Sequence, residues 1–105
     1  MNILLDESVP WPAHKLLTSH KVTSVQLHGW KGTKNGVLLP LAENEFDLFI
    51  TSDQNLRYQQ NLAGRKIAII ELSTNKLRRI LAAADAFRAA VANIKPGEFK
   101  RLEIP

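Results

Sequence analysis

Ile67-Ala68-Ile69-Ile70 is apolar at every position and too short for a helix, so it lacks the alternation of a strand with one wet face. Such a run reads as a strand covered on both sides, which calls for a parallel sheet with helices on each face. Ile3-Leu4-Leu5 within Asn2–Leu5 and Leu48-Phe49-Ile50 within Asp47–Thr51 have the same character. Lys21–Gln26 carries β-branched Val22, Thr23 and Val25 and reads as another strand. Phe99–Ile104, whose alternation is poor, reads as a last strand at an edge.

Helical patterns fill the gaps between these runs. Pro10 and Pro12 suit the first turn of a helix reaching about Ser19. After the glycine-rich stretch His28–Gly36, Val37, Leu38, Leu41 and Ala42 recur at helical spacing up to about Asn44, despite Pro40 near the start. Gln54–Ala63 reads as a polar helix that turns Leu56 and Leu62 inward, with Gly64 as its C-terminal stop. Leu77, Ile80, Leu81, Ala84, Phe87, Val91 and Ile94 form one stripe, predicting a single long helix capped from Ser73, Thr74 or Asn75 and ended by Lys95-Pro96-Gly97. The pattern β-α-β-α-β-α-β-α-β, with no linker or repeat, predicts one α/β domain over residues 1–105 with three α/β/α layers. Right-handed crossovers then favour a mainly parallel five-stranded sheet in the order 2-1-3-4-5.

That order has a chemical consequence. Strands one and three become neighbours, and Asp6 and Asp53 each directly follow one of them. Both carboxylates therefore fall on the carboxyl edge, where open α/β sheets bind ligands. Each has an ordinary alternative: Asp53 precedes a helix and suits an N-cap, and Asp6 suits a turn cap. Capping does not explain why Asp6-Glu7 and Asp53 meet on adjacent strand ends, so a shared cation is the sharper reading. The same rim collects Glu7, Asn35, Ser52, Asn55, Ser73, Thr74 and Asn75, whereas Glu43 and Glu45 fall at the far end of their helix.

Composition narrows the chemistry. The absence of cysteine excludes disulfides, zinc–thiolate sites and thiol catalysis, and fits a reducing compartment. His14, His20 and His28 lack a metal-ligand spacing. The opening residues resemble no signal peptide and no apolar run reaches membrane-spanning length, so a cytoplasmic protein without membrane association is expected. Residues 1–53 carry net −2 and residues 54–105 net +6, which concentrates acid near the proposed rim and base elsewhere, as a protein holding both a cation and a polyanion needs. Lys31, Lys34, Arg57 and Arg65 are the candidate phosphate contacts, and Trp30 and Tyr58 the candidate stacking platforms, with loop anchoring the alternative for Trp30.

Ile3-Leu4-Leu5-Asp6-Glu7, Gly32-Thr33-Lys34-Asn35-Gly36 before a helix, Ile50-Thr51-Ser52-Asp53-Gln54-Asn55-Leu56 and then Gly64-Arg65 before a strand give the chain a likeness, over nearly its whole length, to the PIN-like family. The chain resembles that family's short bacterial branch. The resemblance implies a Mg²⁺- or Mn²⁺-dependent ribonuclease, often the toxin partner of a toxin–antitoxin pair, with Asp6 and Asp53 as metal-binding catalytic acids and Glu7 assisting. The family's two further acids fall on or beside Asn35 and on Asn55, which keep an oxygen donor but lose a charge. A weakly held metal follows, and with it either a weak nuclease or a degenerate module that binds RNA, an antitoxin or another protein. A homodimer is open, since no segment carries an interface signature. A receiver-like phosphoacceptor domain is the remaining alternative, but its lysine ends a strand, whereas Lys95-Pro96 follows a helix.

Overall fold

The computed structural model describes residues 1–56, 62 and 64–105. Strands β1 (Asn2–Leu5), β2 (Lys21–Ser24), β3 (Leu48–Thr51), β4 (Ala68–Leu72) and β5 (Phe99–Leu102) form one sheet in the order β2-β1-β3-β4-β5. Every neighbouring pair is parallel, as the unbroken apolar runs require. β3 and β4 are buried at all their positions.

Period-two alternation divides these strands between two cores. Ile3, Leu5, Leu48, Ile50, Ala68, Ile70 and Leu72 face a 3₁₀ helix (Trp11–Leu17) and two short α-helices, through Ala13, Leu17, Ile80, Phe87 and Val91. Leu4, Phe49, Ile67 and Ile69 face the opposite layer, where helix α1 (Asn35–Glu43) presents Leu38, Leu39 and Ala42 beside Leu56. The result is the expected three-layer α/β/α arrangement, built on a core in which Phe49 and Phe87 are the largest wholly buried side chains.

Several boundaries differ from the sequence pattern. The helix expected from Pro10 to about Ser19 is a 3₁₀ helix confined to Trp11–Leu17. The long helix expected over residues 77–94 is two, α2 (Leu77–Ala82) and α3 (Ala84–Asn93), separated at Ala83, whose φ of −99° and ψ of 26° leave the helical region. β2 stops at Ser24, after which Val25 still donates to the Leu5 carbonyl before the chain turns. β4 runs on to Leu72, carrying Glu71 into the sheet, because Thr51 and Arg101 pair with Glu71 on either side. Of the helix expected over Gln54–Ala63, Gln54 and Asn55 form a turn and Leu56 is helical, and residues 57–61 and 63 lie outside the described residues, Arg57 and Tyr58 among them.

A cleft on the carboxyl edge of the sheet

Asp6 and Asp53 stand just past the carboxyl ends of β1 and β3, where both line a cleft of about 770 Å³ together with Glu7, Ser8, Gly32, Thr33, Lys34, Asn35 and Gly36. The sheet dictates the arrangement. Leu5 lies opposite Ile50, so the next residue along each strand, Asp6 and Thr51, emerges on the same face as Leu4 and Phe49. Asp6 continues the ladder through its N–H to the Ile50 carbonyl at 2.8 Å.

Three hydroxyls hold this edge. Asp6 Oδ2 accepts from Ser8 Oγ at 2.7 Å and from Thr51 Oγ1 at 2.8 Å. Thr51 Oγ1 in turn accepts the backbone N–H of Asp53 at 3.0 Å, so one buried hydroxyl ties the first acid to the backbone of the second. Ser8 bridges the same two segments, its Oγ accepting from Ser52 N–H at 3.0 Å and its carbonyl from Ser52 Oγ at 3.0 Å. Asp6 Oδ1 has no hydrogen-bond partner among the described residues. Asp53 Oδ1 accepts from Asn55 N–H at 2.9 Å, the local turn-capping contact expected of an aspartate at this point.

Glu7 faces the cleft, and its Oε1 accepts the N–H of Gly32 at 2.7 Å, pinning the glycine-rich loop to the end of β1. Gly32 has a φ of +81°, a backbone state that glycine adopts at little cost. Asn35 opens α1 and directs its amide nitrogen at Asp53 Oδ2 over 3.5 Å, the outer limit of a hydrogen bond. Turning that amide over presents its oxygen to the same point. Lys34 is exposed on the cleft wall. Lys31 is exposed but does not line the cleft, and the same holds for Asn55.

Arg65 requires a correction. It precedes β4, which puts it on the amino edge of a parallel sheet, where its guanidinium lies 3.5 Å from Glu43 at the end of α1. A phosphate contact at the carboxyl-edge cleft is therefore out of its reach. Lys95 lies at that same end, lining a depression with Met1, Glu43 and Lys66, so it is remote from Asp53. Trp30 packs edge-on against His28 and Phe46, which makes it a loop anchor.

Sequence reasoning missed Ser8 and Thr51 as the groups that orient Asp6. The available signal was their spacing, a hydroxyl two residues after the first acid and another two before the second. It also missed a polar row behind the cleft, formed by Glu71, Arg101 and Gln54. The Arg101 guanidinium is held above its ordinary value by hydrogen bonds to Glu103 and Glu71.

The acidic and amide side chains lining the cleft offer only oxygen as possible metal donors, the type that hard divalent cations take. Among the described residues, no group of three or more His, Asp or Glu side chains is gathered as a ready-made metal cage. Two carboxylates and one amide remain. Mg²⁺ in general keeps several waters and is commonly held by one or two carboxylates plus substrate phosphate. No protein-family model, curated protein or solved structure matches this chain.

Proposed function

We propose that the cleft is the active site of a divalent-cation-dependent ribonuclease of PIN-like type, in which Asp6 and Asp53 hold one Mg²⁺ or Mn²⁺. The observation that carries this reading is the pairing itself. Two carboxylates from distant parts of the sequence line one cleft, joined through the buried Thr51 hydroxyl. A structural cap at either aspartate needs no such partner.

When bound, the cation supplies a Lewis acid for the scissile phosphate and lowers the pKa of an attacking water. The chain's own groups do the rest. Ser8 and Thr51 both donate to Asp6 Oδ2, which leaves Oδ1 for the cation. Asn35, with its amide turned over, adds a neutral oxygen. Glu7 holds the loop that forms one wall of the cleft, so the loop and the acids stay in register. Lys34 and the start of α1 present positive potential on that wall, complementary to a phosphodiester.

With only two carboxylates, a weakly held metal and slow cleavage are expected. The direct test is RNA cleavage with Mg²⁺ or Mn²⁺ against EDTA, for the parent and for Asp6→Asn and Asp53→Asn. Metal-dependent cleavage abolished in both variants is the expected result. Cleavage that persists in either variant sinks the assignment.

One observation favours a second reading. Neutral Asn35 and exposed Asn55 stand at the positions where the resembling family carries acids, which also fits a module that binds RNA or an antitoxin-like protein without cutting. RNA binding that is indifferent to divalent cations, with no cleavage, would select it.

A further inference from the structure

Glu71 is wholly buried within β4, an unusual position for a carboxylate. It shares a sheet face with Thr51 and Arg101, which lie opposite it on β3 and β5. Its Oε2 is paired with Arg101, while its Oε1 has no hydrogen-bond partner among the described residues. Replacing such a pair by apolar residues commonly maintains or improves stability, so stability alone does not account for it.

The pair's other contacts lead to the cleft. The Arg101 nitrogen that meets Glu71 also donates to Gln54 Oε1, and Arg101 Nε is held by Glu103. Fixing the amide oxygen of Gln54 fixes its nitrogen as the donor. Gln54 Nε2 donates to the Ser52 carbonyl at 2.8 Å and the Leu72 carbonyl at 2.7 Å. The Ser52 carbonyl belongs to the peptide plane that leads into Asp53. The other end of Ser52, its N–H and hydroxyl, is gripped by Ser8. Asp53 therefore sits on a peptide clamped from both sides, by Ser8 just past β1 and by the Glu71–Arg101–Gln54 chain from β4 and β5.

We infer that Gln54 and Arg101, anchored by buried Glu71, are positioning residues that set the direction of the Asp53 carboxylate, an inference that rests on the cleft being a cation site. None of the three lines the cleft, so none touches the cation or the substrate. Their influence runs through the backbone of Asp53.

The test is Mn²⁺ titration followed by the electron paramagnetic resonance of free Mn²⁺, with thermal unfolding measured in parallel. The variants are Gln54→Met, which keeps length but removes the amide, and Arg101→Lys, which keeps the charge opposite Glu71 but loses the planar fork. Supporting groups behind metal ligands typically change affinity ~10–100-fold, and a loss of at least ~10-fold is expected for Gln54→Met at a temperature where the variant is fully folded, together with the lower unfolding midpoint that follows from its three lost hydrogen bonds. Arg101→Lys is expected to lie between parent and Gln54→Met. A lowered midpoint with parental Mn²⁺ affinity in both folded variants overturns the inference and leaves the cation site standing. Absence of Mn²⁺ binding in the parent overturns both together.

Discussion

Thr51→Val probes the hydroxyl that ties Asp6 to the backbone of Asp53. Valine matches threonine in shape, so the substitution removes the hydroxyl from a 1% exposed position without opening a cavity. Two hydrogen bonds go with it, one to the Asp6 carboxylate and one from the Asp53 N–H, together with a longer 3.4 Å contact to Ser8 Oγ. A bond to a charged group contributes about 1.5–3 kcal/mol and a neutral one about 0.5–1.5 kcal/mol. Asp6 keeps Ser8 as a donor and Asp53 is only partly buried, so solvent recovers some of the loss. We expect destabilisation of about 2–3 kcal/mol. With an unfolding entropy of roughly 2.1 cal/mol/K per residue, this lowers Tm by roughly 10 °C for a domain of this size. Thr51→Ser keeps both bonds and loses one methyl, at about 0.8 kcal/mol. Urea unfolding of the three proteins at one pH gives the comparison, with the slopes checked for equality. Equal stability of Thr51→Val and Thr51→Ser would refute the idea that this hydroxyl ties the two acids together.

Other expectations concern the fold and the cleft wall. Gly97 has a φ of +76° and a Cβ there would stand 2.8 Å from the Arg65 carbonyl, whereas Gly29, at +85°, has open space around it. Gly29→Ala should cost only the ~1–2 kcal/mol of the left-handed backbone, and Gly97→Ala distinctly more, as read by chemical denaturation. Phe49→Ala removes a wholly buried ring from the centre of the sheet and should cost ~3–5 kcal/mol in the same assay. Lys34→Ala should leave stability unchanged but weaken single-stranded RNA binding. It should also flatten the plot of log affinity against log salt by about 0.7, the slope that one neutralised phosphate contributes.

The strand order was legible because unbroken apolar runs and right-handed crossovers leave few alternatives, and that order placed Asp6 beside Asp53. Arg65 shows a limit of reading motifs without topology. Gly64-Arg65 leads into a parallel strand, so it had to lie at the amino edge, away from the acids. Glu71 was hidden for a different reason. A charge after Ile70 looks like the end of a strand, and only its pairing with Arg101, 30 positions later, makes burial tolerable. The break at Ala83 carries no glycine or proline to announce it, since alanine favours a helix. The hydroxyls of Ser8 and Thr51 look ordinary in sequence, and their role arises only when β1 and β3 pair.

Whether Asp6 and Asp53 share one divalent cation is read directly by anomalous diffraction from crystals soaked in Mn²⁺. A single anomalous peak is expected in the cleft, within bonding distance of a carboxylate oxygen from each residue and missing from crystals of Asp53→Asn. A peak that contacts neither residue, or no peak at Mn²⁺ concentrations well above those that saturate such sites, would contradict a shared cation.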